Sequence, residues 1–164
     1  MNVSQKTMKE PHIIELPQLQ FTGVDRSYEE LQSQENGFCI LWTEIFPKHR
    51  PEISPMSKED IPYGVYRMKD WPTADRFCAA LKTEGGGAVA QNCARYNIPP
   101  QRYAFFQQAP NYICAIADSL AEAITKVGFE IPEDSVCFET DAPSVAGQDQ
   151  SVDIWIPVRQ RNNG

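Results

Sequence analysis

The stretch Val136-Cys-Phe-Glu-Thr-Asp141 and the later run Val152-Asp-Ile-Trp-Ile-Pro-Val158 decide how this chain reads. Both alternate between apolar and other residues, the two-residue period of a β-strand with one face buried. On the first strand Val136 and Phe138 point one way, and Cys137, Glu139 and Asp141 point the other. On the second, Val152, Ile154, Ile156 and Val158 share a side, and Asp153 and Trp155 take the opposite side. If the two apolar rows share a core, Glu139 and Trp155 share the other face. A carboxylate beside a large aromatic ring is suited to receive an organic cation.

Working outward, the preceding segment carries the clearest helix, Tyr112 to Val127, with Ile113, Ile116, Leu120, Ile124 and Val127 on one face and Gly128 as its stop. Before it, Arg102 to Gln107 reads as a strand and Ala109-Pro110-Asn111 as a turn. The first half has the same order. Gln18 to Asp25 is a strand. Phe38 to Phe46 has helical spacing (Phe38, Leu41, Trp42, Ile45), and Pro47 is expected to end it. Pro51 to Asp60 reads as a loop, Ile61 to Met68 as a strand and Asp70-Trp71-Pro72 as a turn. Ala74 to Leu81 fits either strand or helix. Gly85-Gly86-Gly87 opens a connection to Pro99-Pro100 that lacks the Lys-Ser/Thr of a phosphate loop. Residues 88–96 are left open, with a short helix as one option. Each half thus reads strand, helix, strand, strand, a unit repeated once.

Composition narrows the classes. The 164 residues suit one domain or two small fused halves. A hydrophobic fraction of 41% with no long apolar run speaks against a membrane protein. Met1 to Pro11 has no apolar core of a secretory signal, so the cytoplasm is the expected compartment. A net charge of −7 speaks against direct nucleic-acid binding, since the short basic groups Lys48-His49-Arg50 and Arg159/Arg161 do not offset it. The five cysteines include no Cys-x-x-Cys pair, so no metal site, disulfide framework or cofactor is expected. His12 and His49 lie in loop-like segments and are read as surface residues, and Trp42 as core.

In order and spacing, four features resemble the GyrI-like effector-binding domains, the family that includes the C-terminal drug-binding domain of the regulator BmrR and modules of AraC-type regulators. They are Gly23 ahead of Ile40-Leu41-Trp42, Ile98-Pro99 ahead of Tyr103 to Phe106, the Phe138-Glu139 pair, and the closing run Asp153 to Val158. The likeness spans about residues 14–160. It implies an α+β fold: duplicated βαββ units, about 14–84 and 100–160, forming a mostly antiparallel sheet with helices on one face and a ligand groove on the other. Residues 1–13 would be a flexible lead-in. No helix-turn-helix pattern precedes the domain, so a stand-alone form is expected.

The resemblance implies that Glu139 meets hydrophobic cations in an aromatic cup, with Trp155, Phe105, Phe77, Trp71 and Tyr66 as candidate walls. Two positions depart from the family pattern. Gln107-Gln108-Ala109-Pro110 replaces a turn that often carries His and Gly, and Asp141 stands where an aromatic is usual. The expected function is binding of hydrophobic, cationic small molecules, without catalysis. The alternatives are a small hydrolase using Glu139 as base beside Trp155, and a gyrase-type protein partner using Asp141, Asp149 and Asp153. A homodimer is also open.

Overall fold

The computed structural model describes residues 8–142 and 151–161. The strands are β1 (His12–Leu16), β2 (Leu19–Ser27), β3 (Pro62–Asp70), β4 (Thr73–Lys82), β5 (Ala94–Ile98), β6 (Gln101–Ala109), β7 (Phe129–Glu130), β8 (Val136–Asp141), β9 (Val152–Pro157) and β10 (Arg159–Gln160). The helices are α1 (Tyr28–Ser33), α2 (Gly37–Ile40), α3 (Phe46–Ile53) and α4 (Ala117–Lys126). Eight strands form one sheet in the order β1-β6-β9-β8-β3-β4-β2-β5, and every pairing in it is antiparallel. β7 and β10 form a separate small ribbon.

The duplication is visible in that order. From the central β8/β3 junction outward, one side runs β8, β9, β6 and the other β3, β4, β2. Each half places its first strand outermost and its middle strand at the junction. β1–β2 and β5–β6 are in addition two long strands paired with each other in one register. His12 faces Phe105, Leu16 faces Gln101, Leu19 faces Ile98 and Gly23 faces Ala94. No residue is gained or lost across the corner at Pro17-Gln18 and Pro99-Pro100, where proline has no amide hydrogen to leave unpaired. This bent ribbon ties the two ends of the sheet together.

The sheet is therefore strongly curled and buried on both faces. Phe21 and Phe138 lie on strands separated by two others, a flat-sheet distance of about 14 Å, yet their ring centroids are 4.9 Å apart. Only convergence on the concave side brings them together. That inner cluster also holds Tyr63, Val65, Cys78, Ala80, Tyr103 and Trp155. The convex face carries Val24, Tyr66, Phe77, Leu81, Cys137, Ile154 and Ile156, packed under Leu31, Leu41, Phe46, Leu120 and Ile124 from the helices. Leu120 and Ile124, both fully covered, contribute roughly 1.5–3 kcal/mol each by burial.

Several elements differ from the sequence expectation, each for a local reason. Pro47 does not end a helix. Leu41–Ile45 is a π-turn in which the Phe46 N–H bonds the Leu41 carbonyl, and Pro47 sits in the first turn of α3, where its missing donor costs little. That stretch extends into the expected loop, to Ile53. Residues 73–82, which fit either element, are strand, and the segment left open leads into strand Ala94–Ile98. The long helix begins late: Ile113–Ala115 is a single 3-10 turn, and α4 starts at Ala117. The first strand begins at His12, inside the expected lead-in. Among the described residues, no helix is long and apolar enough to cross a membrane.

Candidate functional site

Glu139 sits on β8 at the centre of the sheet, opposite Gly64 on β3. Its direction is set by register. Glu139 pairs with Ile154, and Phe138 pairs with Trp155. Paired residues share a face, so Glu139 and Ile154 point to the helices while Phe138 and Trp155 point into the concave cluster. The expectation that Glu139 and Trp155 share a helix-free face is overturned. Alternation divides each strand into two rows correctly, but both rows are buried, and the rows of β8 and β9 richest in aliphatic residues lie on opposite sides.

The carboxylate is only 4% exposed and both of its oxygens are engaged. The backbone N–H of Ile113 donates to Oε1 at 2.8 Å, and the Tyr66 hydroxyl donates to Oε2 at 2.7 Å. Ile113 can donate because the 3-10 turn ahead of α4 leaves its amide outside any helical ladder. Gly64 makes room: a Cβ there would meet the Phe77 ring at 3.0 Å and Oε2 at 3.4 Å. Burial pushes the Glu139 carboxyl up to about 7, against the pull of the Ile113 and Tyr66 hydrogen bonds, and Asp141 nearby pushes in the same direction as burial. Burial also holds the Tyr66 and Tyr28 hydroxyls and the Cys114 thiol above their ordinary values.

A cavity of about 600 Å³ opens on this helix side, between α1 and the start of α4. Its walls are Tyr28 and Gln32, the turn residues 72–74, and residues 114–119. Tyr28 links the cavity to the carboxylate: its ring lies 6.2 Å from that of Tyr66, and both Tyr28 and Cys114 feel the Glu139 charge. Among the described residues Glu139 has no ion-pair partner.

Of the six residues singled out from sequence, the structure brings four together on this side. Tyr66 bonds Glu139, and Phe77 packs edge-on to Tyr66 at 4.9 Å. Trp71 precedes the wall residues 72–74 and donates its Nε1–H to the carbonyl of Ala117 at 3.1 Å. Trp155 and Phe105 are not with them. They stack on each other at 4.9 Å, and Trp155 stacks on Phe138 at 5.0 Å, all on the concave side. A Glu139–Trp155 hydrolytic pair is therefore absent. Asp141 accepts from the Tyr112 hydroxyl and Asp153 from the Gln108 amide, so both acidic groups are engaged within the chain. Asp149 lies outside the described residues. Tyr28, Cys114 and the Ile113 amide escaped sequence reading. One signal for Tyr28 was present: Ser27 and Glu30 have capping-box spacing, and the Ser27 side chain does accept from the Glu30 amide. No group of His, Cys, Asp or Glu among the described residues is placed to hold a metal ion.

No family model and no curated protein matches the sequence. Solved structures do match its shape. SAV2435 bound to tetraphenylphosphonium superposes with a TM-score of 0.62 at 13% identity, covering 92% of this chain and 94% of that one. The C-terminal domain of EcmrR gives a TM-score of 0.63 at 11% identity, over 92% of this chain and 97% of its own. The chain has the GyrI-like fold. An integron cassette protein from the mobile metagenome of Vibrio cholerae is also similar, with a TM-score of 0.55 at 15% identity over 93% and 97% of the two chains. At these identities the likeness establishes the GyrI-like fold, and the chemistry of the site rests on the residues described above.

Proposed function

We propose that this GyrI-like chain is a small-molecule-binding protein whose cavity between α1 and α4 receives lipophilic organic cations, with Glu139 as the countercharge. One observation carries the reading: a buried carboxylate with no cationic partner among the described residues lies behind a wall of that cavity. Keeping such a group ionised is costly, and a bound cation offsets much of that cost. Tyr28 on the wall offers an aromatic face, good for about 0.5–2 kcal/mol of cation–π attraction. Apolar ligand surface adds roughly 25 cal/mol per Å² buried. Delocalised cations benefit most, because they shed little hydration on entering. The same-fold neighbour bound to tetraphenylphosphonium supports this ligand class.

The test is a calorimetric titration of tetraphenylphosphonium into the wild-type chain and into Glu139→Gln, with circular dichroism to check that both are folded. The proposal expects binding to the wild type and at least tenfold weaker binding to the variant. Equal affinity would remove Glu139 from the site.

A further inference from the structure

The walls of the cavity carry one charged residue, and it is acidic. Asp118 lies in the first turn of α4, exposed, with no lysine or arginine among the lining residues. It has no ion-pair partner among the described residues, whereas Glu122, one turn on, pairs with Lys126 at 3.5 Å. The rest of the wall is neutral: Gln32, Thr73 and Ser119 are polar, and Pro72, Ala74 and residues 115–117 are apolar. A negative group therefore lies behind the wall residues Tyr28 and Cys114, and a second one is on the wall itself. A compact cavity of this volume is roughly 10 Å across, drug-sized. A single compact cation would satisfy one carboxylate and leave the other facing an apolar ligand surface.

We infer that this cavity selects rigid organic dications, one charge drawn to Glu139 and the other to Asp118. The inference rests on the cation-binding reading above and goes beyond it by naming the ligand class and the residue that sets it. Glu139 supplies the attraction common to all cations, and Asp118 discriminates by charge number. The outer pair is partly exposed, so its effect is modest and falls with added salt.

The experiment compares two probes on the full chain: a dimethyl bipyridinium dication and a methyl tolylpyridinium, in which carbon replaces one quaternary nitrogen, leaving the same shape with one charge. The readout is the ratio of their affinities, which cancels any general effect of a substitution on folding. The wild type is expected to favour the dication about fivefold at low salt, with the preference shrinking as salt is raised. Asp118→Asn and Asp118→Ser should both bring the ratio close to one, and Glu139→Gln should weaken both probes. A wild-type ratio near one, or a ratio unchanged in both Asp118 variants, overturns the inference while leaving the cation site standing. Failure of both probes and of tetraphenylphosphonium to bind removes the cation-binding reading, and this inference with it.

Discussion

Raising the pH from 5 to 8 should strengthen tetraphenylphosphonium binding about a hundredfold, and the size of that change follows from Glu139. Burial holds its carboxyl at about 7 in the folded protein. Tetraphenylphosphonium carries a fixed charge, so the protein alone titrates. If the cation binds the ionised form, affinity falls about tenfold for each pH unit below 7 and levels off above it. The other titratable groups coupled to Glu139 are Tyr66, Tyr28, Cys114, Cys137 and Asp141. The two hydroxyls and both thiols are held high by burial and keep their protons throughout. The assay is calorimetry at four pH values between 5 and 8, repeated on Glu139→Gln, whose profile should be flat. Folding stability responds in the opposite direction. The unfolded glutamate loses its proton near 4.5, before the folded one does, so stability is full below 4.5, falls as pH rises and levels off above 7. The loss is about 3 kcal/mol, and Glu139→Gln should escape it in urea unfolding at pH 4.5 and 8. A wild-type affinity that stays level from pH 5 to 8 would show that ionisation of Glu139 does not govern binding.

Three further substitutions probe the geometry. Tyr66→Phe removes the hydroxyl that stabilises the ionised carboxylate. The pH midpoint for tetraphenylphosphonium binding should move above 7, with a stability loss of about 1–2 kcal/mol in urea melts. Gly64→Ala pushes a methyl group against Phe77 and Oε2, and should cost about 1–3 kcal/mol in the same melts. Trp155→Ala should destabilise by roughly 3 kcal/mol, through lost stacking on Phe138 and Phe105. Tetraphenylphosphonium affinity of the folded fraction should stay within twofold of wild type. A tenfold loss would instead return Trp155 to the ligand site.

The strands around Glu139 were legible because Val136 to Asp141 and Val152 to Val158 keep a strict two-residue period. The βαββ duplication was legible because glycines and prolines mark most element ends. What alternation does not carry is which row meets the helices. That depends on pairing Phe138 with Trp155, and in a sheet buried on both sides either arrangement hides apolar residues. Pro47 was misread because the π-turn ahead of it leaves no obligation for its missing donor. β5 lacks an apolar period: its five residues are Ala-Arg-Tyr-Asn-Ile, and its pairing with β2 holds it in the sheet. Tyr28 was hidden in a polar segment because its role comes from packing against Tyr66, a residue of the distant strand β3, as well as against the nearby Phe38.

Cation binding turns on the ionisation of one side chain, and carbon-13 NMR of the Glu139 carboxyl follows it directly. In the empty protein the resonance should titrate near pH 7, and saturation with tetraphenylphosphonium should move that midpoint well down. A carboxyl that titrates like a free glutamate, or whose midpoint ignores the ligand, would mean that Glu139 is not the countercharge.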